Sequence, residues 1–510
     1  MRQNIRGSLS GMDLRPALSL LCLLLCCQAA RAAKFENPAV PGDYPDPSIV
    51  RVGDDFYMTN SSMMWAPGLL IWHSKDLVHW EPVVRALKNF DGDVWAPDIV
   101  RHQGKFFIYY PSSNNRTNRV IAADRIEGPW SEPVDLKVGE IDPGHVVGPD
   151  GTRYLHLSKG NVVKLAPDGL SVDGPRRKVY EGWPFPEDWK TEGFCLEGPK
   201  LFFHDGWYHL ISAQGGTAGA STSHMAVHAR SRSPEGPWEN SPYNPLIKTW
   251  NRSEKWWSTG HATVFETGRG QWWAVFHGYD KDNRPLGRQV LLRQVEWTKD
   301  GWLVAKKGTQ AGSPAPDLAP APLKPMPVSD SFAGPELGIQ WSFWGGLDKE
   351  RIRFEDGALV MKGKGTSPAD CSPMAFPAPE GAYEIEVDVE TTGDAVGGLT
   401  LYYDPNAYAA SGIGAGSVWW GQRGKMNGGT KMEGVRRAKL KIVCDRYDVV
   451  FKIQLPGGEW KNLPGSNALD VSGYHHNTFG GFTSLRPGVF AWGQGTVNFR
   501  HFVYRSLAPR

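Results

Sequence analysis

Hydrophobic and polar positions repeat along the first part of the chain. Each of five segments begins with a polar residue beside Pro or Gly, continues as a short apolar run, turns at Gly or Asp, and returns as an aromatic run. The leading polar residues are Asp46, Asp98, Asp142, Glu197 and His261. Short apolar runs between such turns are typical of antiparallel strands. A unit made only of strands that recurs about every 40 to 65 residues is typical of propeller blades. The pattern therefore predicts a five-bladed β-propeller.

The last part of the chain has a different pattern. From Tyr383 to Glu390, apolar residues alternate with acidic ones, and Leu440, Ile442 and Cys444 alternate with their neighbours in the same way. Strict alternation predicts half-buried antiparallel strands, as in a β-sandwich. A proline-rich stretch, expected to be stiff and extended, separates the two patterns. We therefore expect an all-β chain with a propeller at residues 33–311, a linker at 312–327 and a sandwich at 328–510.

The start of the chain has the pattern of a targeting sequence. Arg15 precedes an apolar run from Ala17 to Cys27, and Ala30-Arg31-Ala32 offers the small-x-small pattern of a signal peptidase site. The run is short for a membrane span, so a retained anchor is the less favoured alternative. We expect residues 1–32 to be a signal peptide, the mature protein to be secreted or periplasmic, and no membrane association after cleavage.

Composition agrees with an all-β protein and narrows its partners. The 510 residues include 59 Gly, 39 Pro and 22 Trp, the usage of a chain with many short strands and turns. This length exceeds the usual size of a single hydrophobic core, so two domains are the default. The formal net charge is only +2. Because there is no basic stripe or acidic tail, nothing points to a nucleic-acid partner. Abundant tryptophan suits stacking on sugar rings, although packing alone accounts for most tryptophans.

Propeller geometry predicts that the five leading residues converge. The innermost strands of a propeller line its central channel, so equivalent positions of the blades should share one funnel. Clustered carboxylates are costly, because like charges in a poorly hydrated pocket raise one another's pKa. Each leading residue alone is explained as well by a strand cap or a turn. Their equivalent positions in all five repeats favour a functional cluster.

The ordered motifs resemble a known family. YPDPSI at 44, IDP at 141, LEGPK at 196, AQGGT at 213 and GRQVLLRQVEW at 287 occur in the order of glycoside hydrolase family 43. The resemblance covers residues 36 to 310 and implies a five-bladed propeller that hydrolyses glycosides with inversion. From DSFAGPELGIQW at 330 to FTSLRPGVFAWGQG at 482, the chain resembles the concanavalin-like (jelly-roll) β-sandwich of the β-xylosidase branch.

The resemblance implies separate roles for three carboxyl groups. Inverting hydrolysis needs an acid that protonates the leaving oxygen and, on the opposite face of the sugar, a carboxylate that activates water, roughly 6.5 to 9.5 Å away. Asp46 matches the general base, Glu197 the general acid, and Asp142 the third carboxylate, which tunes and orients the acid. The prolines on either side of Asp46 predict an extended backbone that aims its carboxylate.

The resemblance also implies substrate contacts. Trp95 matches a position that lines the sugar subsite, and Arg288 matches an arginine near the third carboxylate and the substrate. His261 matches a Gly-His pair that lies under the sugar or beside a central ion. His224 follows the glycine-rich loop and is either a subsite wall or an ordinary loop histidine. Asp98 receives no proton-transfer role and either supports its blade or hydrogen-bonds sugar.

No cofactor is required by this interpretation. Some relatives hold calcium in the propeller channel, but His261 alone provides no oxygen cage, so no metal site is assigned and a structural calcium ion is left open. Cys195 is expected to be a small buried side chain rather than a catalytic thiol. Cys371 and Cys444 either pair or remain separate buried thiols.

Two roles compete for the sandwich. It either tethers the enzyme to polymer as a carbohydrate-binding module or closes one side of the funnel and restricts the substrate to chain ends. We favour closure, with Phe490 or Trp492 as the aromatic residue that approaches the pocket.

We therefore expect a secreted, exo-acting, inverting glycoside hydrolase that removes terminal pentose units from plant-type oligosaccharides. β-D-Xylosidase stands ahead of α-L-arabinofuranosidase and exo-galactosidase, which share the same catalytic groups. Invertase-type fructosidases are disfavoured, because Ile141 and Gly198 stand where Arg and Cys would be expected. A non-catalytic carbohydrate-binding propeller is the alternative from another class, but it would need no ordered carboxylates.

Overall fold

The structure is a computed structural model that describes Met1 and residues 34–307, 313–314, 316–347 and 349–507. Apart from Met1, the predicted signal peptide lies outside these residues. Among the helices that the model describes, none has both the length and the apolar character needed to cross a membrane.

Five antiparallel sheets, each built from one continuous segment of the chain, form the blades of a propeller. Blade one contains Ser48–Val52, Asp55–Thr59, Gly68–Ser74 and Glu81–Leu87. Blade two contains Asp98–His102, Lys105–Ser112, Thr117–Ala123 and Val134–Asp135. Blade three contains Gly144–Val147, Arg153–Leu157, Asn161–Leu165 and Arg177–Lys178. Blade four contains Glu197–His204, Trp207–Gln214, Met225–Ser231, Glu239–Asn240 and Ile247–Lys248. Blade five contains Trp256–Glu266, Trp272–Asp280, Arg288–Trp297 and Leu303–Ala305. The predicted propeller is confirmed.

The aromatic runs of the repeats are explained by packing between blades. In Lys105–Ser112, Ile108 and Tyr110 pack with blade one, whereas Phe107 and Tyr109 pack with blade three. Side chains of a strand point alternately to its two faces, and both faces are covered here. A strand buried on both faces is apolar throughout, so the middle strand of each repeat shows no simple alternation.

Two facing sheets form the sandwich, as predicted. One contains Lys425–Met426, Ser417–Gln422, Ala407–Gly414, Val396–Asp404, Arg486–Trp492, Met374–Ala375 and Ser342–Trp344, with Thr430–Lys431 beside the second of these. The other contains Ile352–Glu355, Ala358–Lys362, Thr496–Ser506, Ala382–Thr391, Arg437–Asp445, Asp448–Gln454 and Lys461–Asn462, with Leu469–Asp470 beside the sixth. Ala382–Thr391 alternates between buried and half-buried residues along its length, as its sequence pattern predicts.

The remaining elements are short. Lys34–Phe35 pairs with Ser313–Pro314. Within the described residues, the helices are the 3₁₀ turns Ser158–Gly160, Arg284–Leu286 and Lys349–Arg351 and the α-helix His476–Phe479. Cys195, Cys371 and Cys444 are free thiols, so the predicted alternatives for the last two are decided in favour of separate buried cysteines. The predicted domain boundaries at 311 and 327 stay a prediction.

The two halves of the chain share one sheet. Trp65–Ala66, which lies between two strands of blade one, pairs with Ser342–Trp344 at the edge of the first sandwich sheet. Trp65 is buried in one apolar cluster with Tyr402 and Phe490 of the sandwich. The propeller therefore contributes a strand to the sandwich and packs side chains against the outer face of one of its sheets.

A buried ion pair also joins the two halves. Arg486 Nη2 lies 3.1 Å from Asp43 Oδ2, and both residues are buried. The guanidinium carbon of Arg486 lies 4.7 Å from the centre of the Trp65 ring. Asp43 Oδ1 accepts a hydrogen bond of 3.1 Å from the backbone N–H of Arg288. Removing one member of a buried pair leaves an uncompensated charge, which is strongly destabilising.

We predict that Arg486→Met lowers the free energy of unfolding by about 3–5 kcal/mol, because Asp43 loses its buried cation. Urea unfolding followed by tryptophan fluorescence measures the change. The double variant Asp43→Asn with Arg486→Met should recover part of the loss, because no isolated charge remains.

The matched control is Arg353→Met, which removes an ion pair with Glu355 in which both side chains are more than half exposed. Exposed pairs contribute little, so its effect should stay below about 1 kcal/mol. Equal losses in the two arginine variants would contradict a special role for the buried pair.

Candidate active site

The leading residues of four blades meet at the centre of the propeller. Asp46 and Asp142 come two residues before the innermost strands of blades one and three. Glu197 begins the innermost strand of blade four, and His261 lies within that of blade five. These strands contact one another around the channel. The predicted convergence therefore holds for these four positions.

The backbone at these positions is left-handed. The φ angles of Asp46, Asp142 and His261 are 57°, 58° and 53°. The extended conformation predicted for Asp46 is therefore wrong. A following proline disfavours the right-handed helical region, but Asp is one of the few residues that visit the left-handed region routinely. Such conformations cost roughly 1–3 kcal/mol each and persist where surrounding contacts determine them.

Irregular strand pairing aims the other two side chains. The pairing register shifts between Glu197 and Lys200 in blade four and between Gly260 and Thr263 in blade five. Bulges of this kind bend a strand and redirect a side chain, and they are frequent beside active sites. Gly198 has a φ of +57°, and a Cβ there would lie 2.9 Å from His261 Nε2. Only glycine fits this position, which explains the Glu-Gly-Pro motif.

Asp46 is an ionised carboxylate held by four side chains. Arg288 Nη1 and His277 Nδ1 each lie 3.1 Å from Oδ1, and His261 Nδ1 lies 3.4 Å away. The Ser61 hydroxyl donates to Oδ2. Burial alone would raise the pKa of Asp46, but Arg288, together with the two histidines, outweighs it and holds that pKa well below its ordinary value.

The surroundings of Glu197 and Asp142 raise the pKa of both groups, whereas the surroundings of Asp46 lower its pKa. One ligand atom each of Asp142, Glu197 and His261 lie within 4.8 Å of one another. Burial and then the negative charges of Asp142 and Asp46 raise the pKa of Glu197 well above its ordinary value. Burial and the Asp46 charge likewise raise the pKa of Asp142, whose Oδ2 accepts a 3.1 Å hydrogen bond from the Gly198 N–H. The two neighbouring groups titrate together, so protons are retained on this side of the pocket near neutral pH.

Exposure distinguishes the two ends of the site. The Glu197 side chain is 25% exposed, whereas that of Asp46 is only 6% exposed. The ionised carboxylate therefore lies at the bottom of the funnel, and Glu197 lies nearer its mouth.

Neutral histidines line the wall between them. His224 Nε2 lies 3.9 Å from Glu197 Oε1, and the ring of His224 stacks on that of His277 with centroids 5.1 Å apart. Burial lowers the pKa of His224, His261 and His277, so these imidazoles are neutral. Both ring nitrogens of His224 and Nε2 of His261 are buried without a hydrogen-bond partner. Buried polar atoms normally have partners, so these three nitrogens are exceptions in the wall of the site.

The sandwich reaches the site through Phe482. The guanidinium carbon of Arg288 lies 5.2 Å from the centre of the Phe482 ring, and Nη2 donates a 3.4 Å hydrogen bond to the Phe482 carbonyl. Phe490 and Trp492 instead stack on each other in the buried cluster around Trp65. Both lie on the face of their sheet that packs against Met63, Trp65 and Trp95 of the propeller. Phe482, rather than either of them, contacts Arg288, and the prediction that Phe490 or Trp492 approaches the pocket stays a prediction.

Asp98 and Trp95, two further residues of the predicted site, make different kinds of contact. Asp98 Oδ1 accepts from the Ser48 hydroxyl at 3.0 Å and from Lys200 Nζ at 3.1 Å, and Oδ2 accepts from the His145 N–H at 2.8 Å. Both of its oxygens are used to join neighbouring blades, which favours the predicted supporting role over sugar binding. Trp95 is half-buried and packs against the apolar cluster at the domain interface.

Several residues of the site were missed by sequence reasoning. Ser61 and His277 contact Asp46, Phe482 covers Arg288, and burial raises the pKa of Asp93 to about 6 beside Trp95. Strand pairing gives one usable signal, because His277 is the partner of Gly260 in blade five and so lies opposite the Gly-His pair. The other positions carry no motif that separates them from ordinary strand and loop residues.

The donor set does not fit calcium. Calcium takes six to eight oxygen ligands. The group of Asp142, Glu197 and His261 offers two carboxyl groups and one imidazole nitrogen.

Comparisons with known proteins cover both halves of the chain. The family model described as Glycosyl hydrolases family 43 matches residues 35–303. The model described as Beta xylosidase C-terminal Concanavalin A-like domain matches residues 329–505. The chain is similar to the non-reducing end alpha-L-arabinofuranosidase BoGH43B of Bacteroides ovatus, with 33% identity over 68% of this chain and 69% of that protein.

Two further similarities extend over nearly the whole chain. The xylosidase/arabinosidase 43B of Humicola insolens is 28% identical over 93% of this chain and 98% of that protein. The crystal structure of the GH43 BlXynB protein from Bacillus licheniformis has a TM-score of 0.84 and 28% identity, and the match covers 93% of this chain and all of that one. Both the propeller and the sandwich therefore have relatives in one arrangement.

We predict that Asp142→Asn lowers the pKa of Glu197. The variant removes one of the two negative charges that, after burial, raise this pKa, so Glu197 loses its proton at lower pH than in the unmodified protein. Carbon-13 NMR of protein labelled at glutamate side-chain carboxyls, recorded against pH and assigned with Glu197→Gln, measures the shift.

The control is Asp150→Asn, which removes a charge in an exposed turn of blade three. This variant should leave the Glu197 titration unchanged. An identical Glu197 titration curve in Asp142→Asn would refute the electrostatic coupling.

Proposed function

Because the chain belongs to glycosyl hydrolase family 43, we propose that its funnel hydrolyses glycosides with inversion, using Asp46 as general base and Glu197 as general acid. The protein is an exo-acting glycoside hydrolase, related to xylosidases and arabinofuranosidases. The roles of individual residues, the stereochemistry of the reaction and the identity of the sugar are proposals.

The observation that carries the assignment is the contrast between two carboxyl groups in one pocket. Asp46 is paired with Arg288 and contacted by two histidines, whereas Glu197 is buried beside other acids. A pair of carboxyl groups whose environments drive their pKa values apart provides one base and one acid at the same pH.

The reaction follows from these protonation states. Asp46, deep in the funnel, accepts a proton from a water molecule whose oxygen forms a bond to the anomeric carbon. Glu197, nearer the mouth, gives its proton to the glycosidic oxygen as the bond from that oxygen to the anomeric carbon breaks. Solvent then reprotonates Glu197 and removes the proton from Asp46. Asp142 and Glu197 titrate together, so ionisation of Asp142 raises the pKa of Glu197, and Asp142 accepts a hydrogen bond from the N–H of Gly198, the residue after the acid.

The groups around Asp46 support its role in positioning water. Arg288, His277 and Ser61 restrict the carboxylate to one orientation. A fixed orientation matters, because a misplacement of about 1 Å can lower a rate on the order of a hundredfold. Trp95, His224 and His261 are proposed to line the subsite of the sugar, as their match to the family motifs implies.

The sandwich supports exo action. Phe482 covers Arg288 beside the base, and Asn477 of the sandwich donates a hydrogen bond to the carbonyl of Ala218 in the glycine-rich loop of the propeller. These contacts close one side of the funnel. A funnel closed on one side accepts the end of a chain rather than its middle.

The sugar is proposed to be a terminal pentose, with β-D-xylose first. The match of residues 329–505 to the sandwich described for β-xylosidases favours xylose. α-L-Arabinofuranose is the second candidate, because a relative with 33% identity is described as an arabinofuranosidase. The carboxyl groups do not distinguish these sugars, since both reactions use the same proton transfers.

Export is proposed from the pattern of residues 1–32. Expression of the full chain in a bacterial host should yield a processed protein outside the cytoplasm. N-terminal sequencing of that product is expected to begin at Ala33, and recovery of an unprocessed chain in the cytoplasm would contradict the proposal.

We predict that Glu197→Gln and Asp46→Asn respond differently to the leaving group. Glu197→Gln should lose about 10²- to 10⁴-fold in kcat/KM on xylobiose but much less on an aryl xyloside, whose leaving group needs little protonation. Asp46→Asn should lose activity on both substrates, because water is no longer activated. Steady-state kinetics on the two substrates measure the difference.

Three results support or overturn the assignment. Proton NMR of the first product should show the anomer opposite to that of the substrate, and net retention would overturn the mechanism. Both variants should still bind xylobiose by calorimetry, which separates lost chemistry from lost folding. Unchanged turnover in Glu197→Gln would favour the non-catalytic carbohydrate-binding alternative.

A further inference from the structure

A cluster of aromatic side chains lies in the connections that lead into and out of blade four, outside the catalytic residues. It consists of Trp183, Phe185, Trp189, Phe194 and Trp250, which we call the aromatic platform. Phe185 stacks on Phe194 with ring centroids 5.6 Å apart, and on Trp189 at 6.4 Å. Trp183 and Trp250 contact Trp189 through their edges at 5.9 Å and 5.7 Å. The five rings therefore form one connected set.

Part of the aromatic platform faces solvent. Trp250 is 57% exposed and Phe194 is 46% exposed. Single exposed hydrophobic residues are ordinary, but a connected exposed set marks a place where something binds. Aromatic rings with a free face stack on flat, weakly polar partners, among which are the CH faces of sugar rings.

The segment that carries the aromatic platform is firmly attached to the catalytic blade. The backbone N–H of Trp183 donates to Gln214 Oε1 at 2.9 Å, and Gln214 Nε2 donates to the backbone carbonyl of Trp183 at 3.2 Å. The Ala218 N–H donates to Glu192 Oε2 at 2.8 Å. On its inner side, Lys248 Nζ lies 4.4 Å from the Trp189 ring. A preorganised surface binds without an ordering cost of its own.

The platform is connected to the catalytic groups in two ways. The same glycine-rich loop that holds Glu192 contains Thr217, whose hydroxyl lies 3.4 Å from His277 Nε2, and His277 contacts Asp46. Phe194 also precedes Glu197 by three residues, so their Cα atoms are at most about 11 Å apart. The platform therefore begins beside the mouth of the funnel.

The position of Glu197 indicates what passes over this surface. In the proposed mechanism Glu197 protonates the leaving oxygen, so the leaving group lies on its side of the pocket. That side is also the more open one, since Glu197 is more exposed than Asp46. A chain whose terminal sugar occupies the funnel leaves it past Glu197 and towards Phe194 and Trp250.

We propose that the aromatic platform is a binding site for the sugar residues of the leaving group beyond the bond that is cleaved, and that it makes the enzyme favour oligosaccharides over short substrates. The ligand class is an uncharged oligosaccharide of pentopyranose or pentofuranose units. The proposal rests on the proposed function, because Glu197 as general acid sets the direction of the leaving group.

The test compares substrates of increasing length. Trp250→Ala and Phe194→Ala should each lower kcat/KM for a hexasaccharide about fivefold or more, since each variant removes a stacking ring. The values for a 4-nitrophenyl glycoside should change by less than about twofold, because its leaving group ends before the platform. The oligosaccharide series is the xylose or arabinose series that the unmodified enzyme hydrolyses.

The matched control is Phe203→Ala, which removes a ring that is 59% exposed at the far end of the strand begun by Glu197. It should leave the dependence on chain length unchanged. Equal losses on short and long substrates in the platform variants overturn the proposal. Light scattering tests a second copy as the occupant: a dimer that Trp250→Ala dissociates, with unchanged chain-length dependence, also overturns it.

A binding experiment separates this proposal from the catalytic one. Tryptophan fluorescence of Glu197→Gln, titrated with xylohexaose and arabinohexaose, should show saturable binding that weakens about fivefold or more when Trp250→Ala is added. If the unmodified enzyme hydrolyses no glycoside, the proposed function fails while this measurement still reports on the platform. If hydrolysis occurs but neither hexasaccharide binds more weakly to the double variant, only the platform fails.

Discussion

The arrangement of charges in the site depends on the position of the Arg288 guanidinium. Arg288 pairs with Asp46 and also opposes the charges of Asp142 and Glu197. Its attraction falls with distance, so the carboxylate in direct contact is ionised, while the neighbouring pair of Asp142 and Glu197 retains a proton. A second arginine beside Glu197 would remove the acid, and the loss of Arg288 would leave three buried carboxyl groups without their shared cation. The proposed division between base and acid therefore follows from the position of Arg288.

Residues of both the propeller and the sandwich determine the position of Arg288. The backbone N–H of Arg288 donates to Asp43, whose other oxygen binds Arg486 of the sandwich. The side chain of Arg288 donates to the carbonyl of Phe482, also from the sandwich. Gly287, with a φ of +76°, allows the approach, since a Cβ there would lie 2.3 Å from Asp43 Oδ1. The sandwich is thus part of the support of the candidate active site.

The sequence predicted the propeller because each repeat is a local unit whose turns, leading residue and aromatic strand lie close together along the chain. The same periodicity brought Asp46, Asp142 and Glu197 to one centre. The direct partner of Arg288 is Asp46, rather than the neighbouring Asp142 that the family resemblance suggested. Contacts of this kind, like those of Phe482 and His277, depend on side-chain directions and on packing between distant segments. Left-handed backbone at Asp46 was missed because the proline rule describes an average, while four side chains act on this carboxylate.

The sheet that the two halves share affects how the chain folds during synthesis and whether the halves can be separated. Trp65 pairs with Trp344, so an edge of the sandwich is completed by a segment that is synthesised far earlier. During synthesis the N-terminal half of the chain folds first, and Trp65–Ala66 has no strand to pair with until Ser342–Trp344 has been made. If the halves were cut apart at the linker, Ser342–Trp344 would present an unpaired strand edge, and the Trp65 side chain would lose its apolar cover. Open edges of this kind template association between chains, so the division that the sequence suggests is a poor place to separate the protein into working parts.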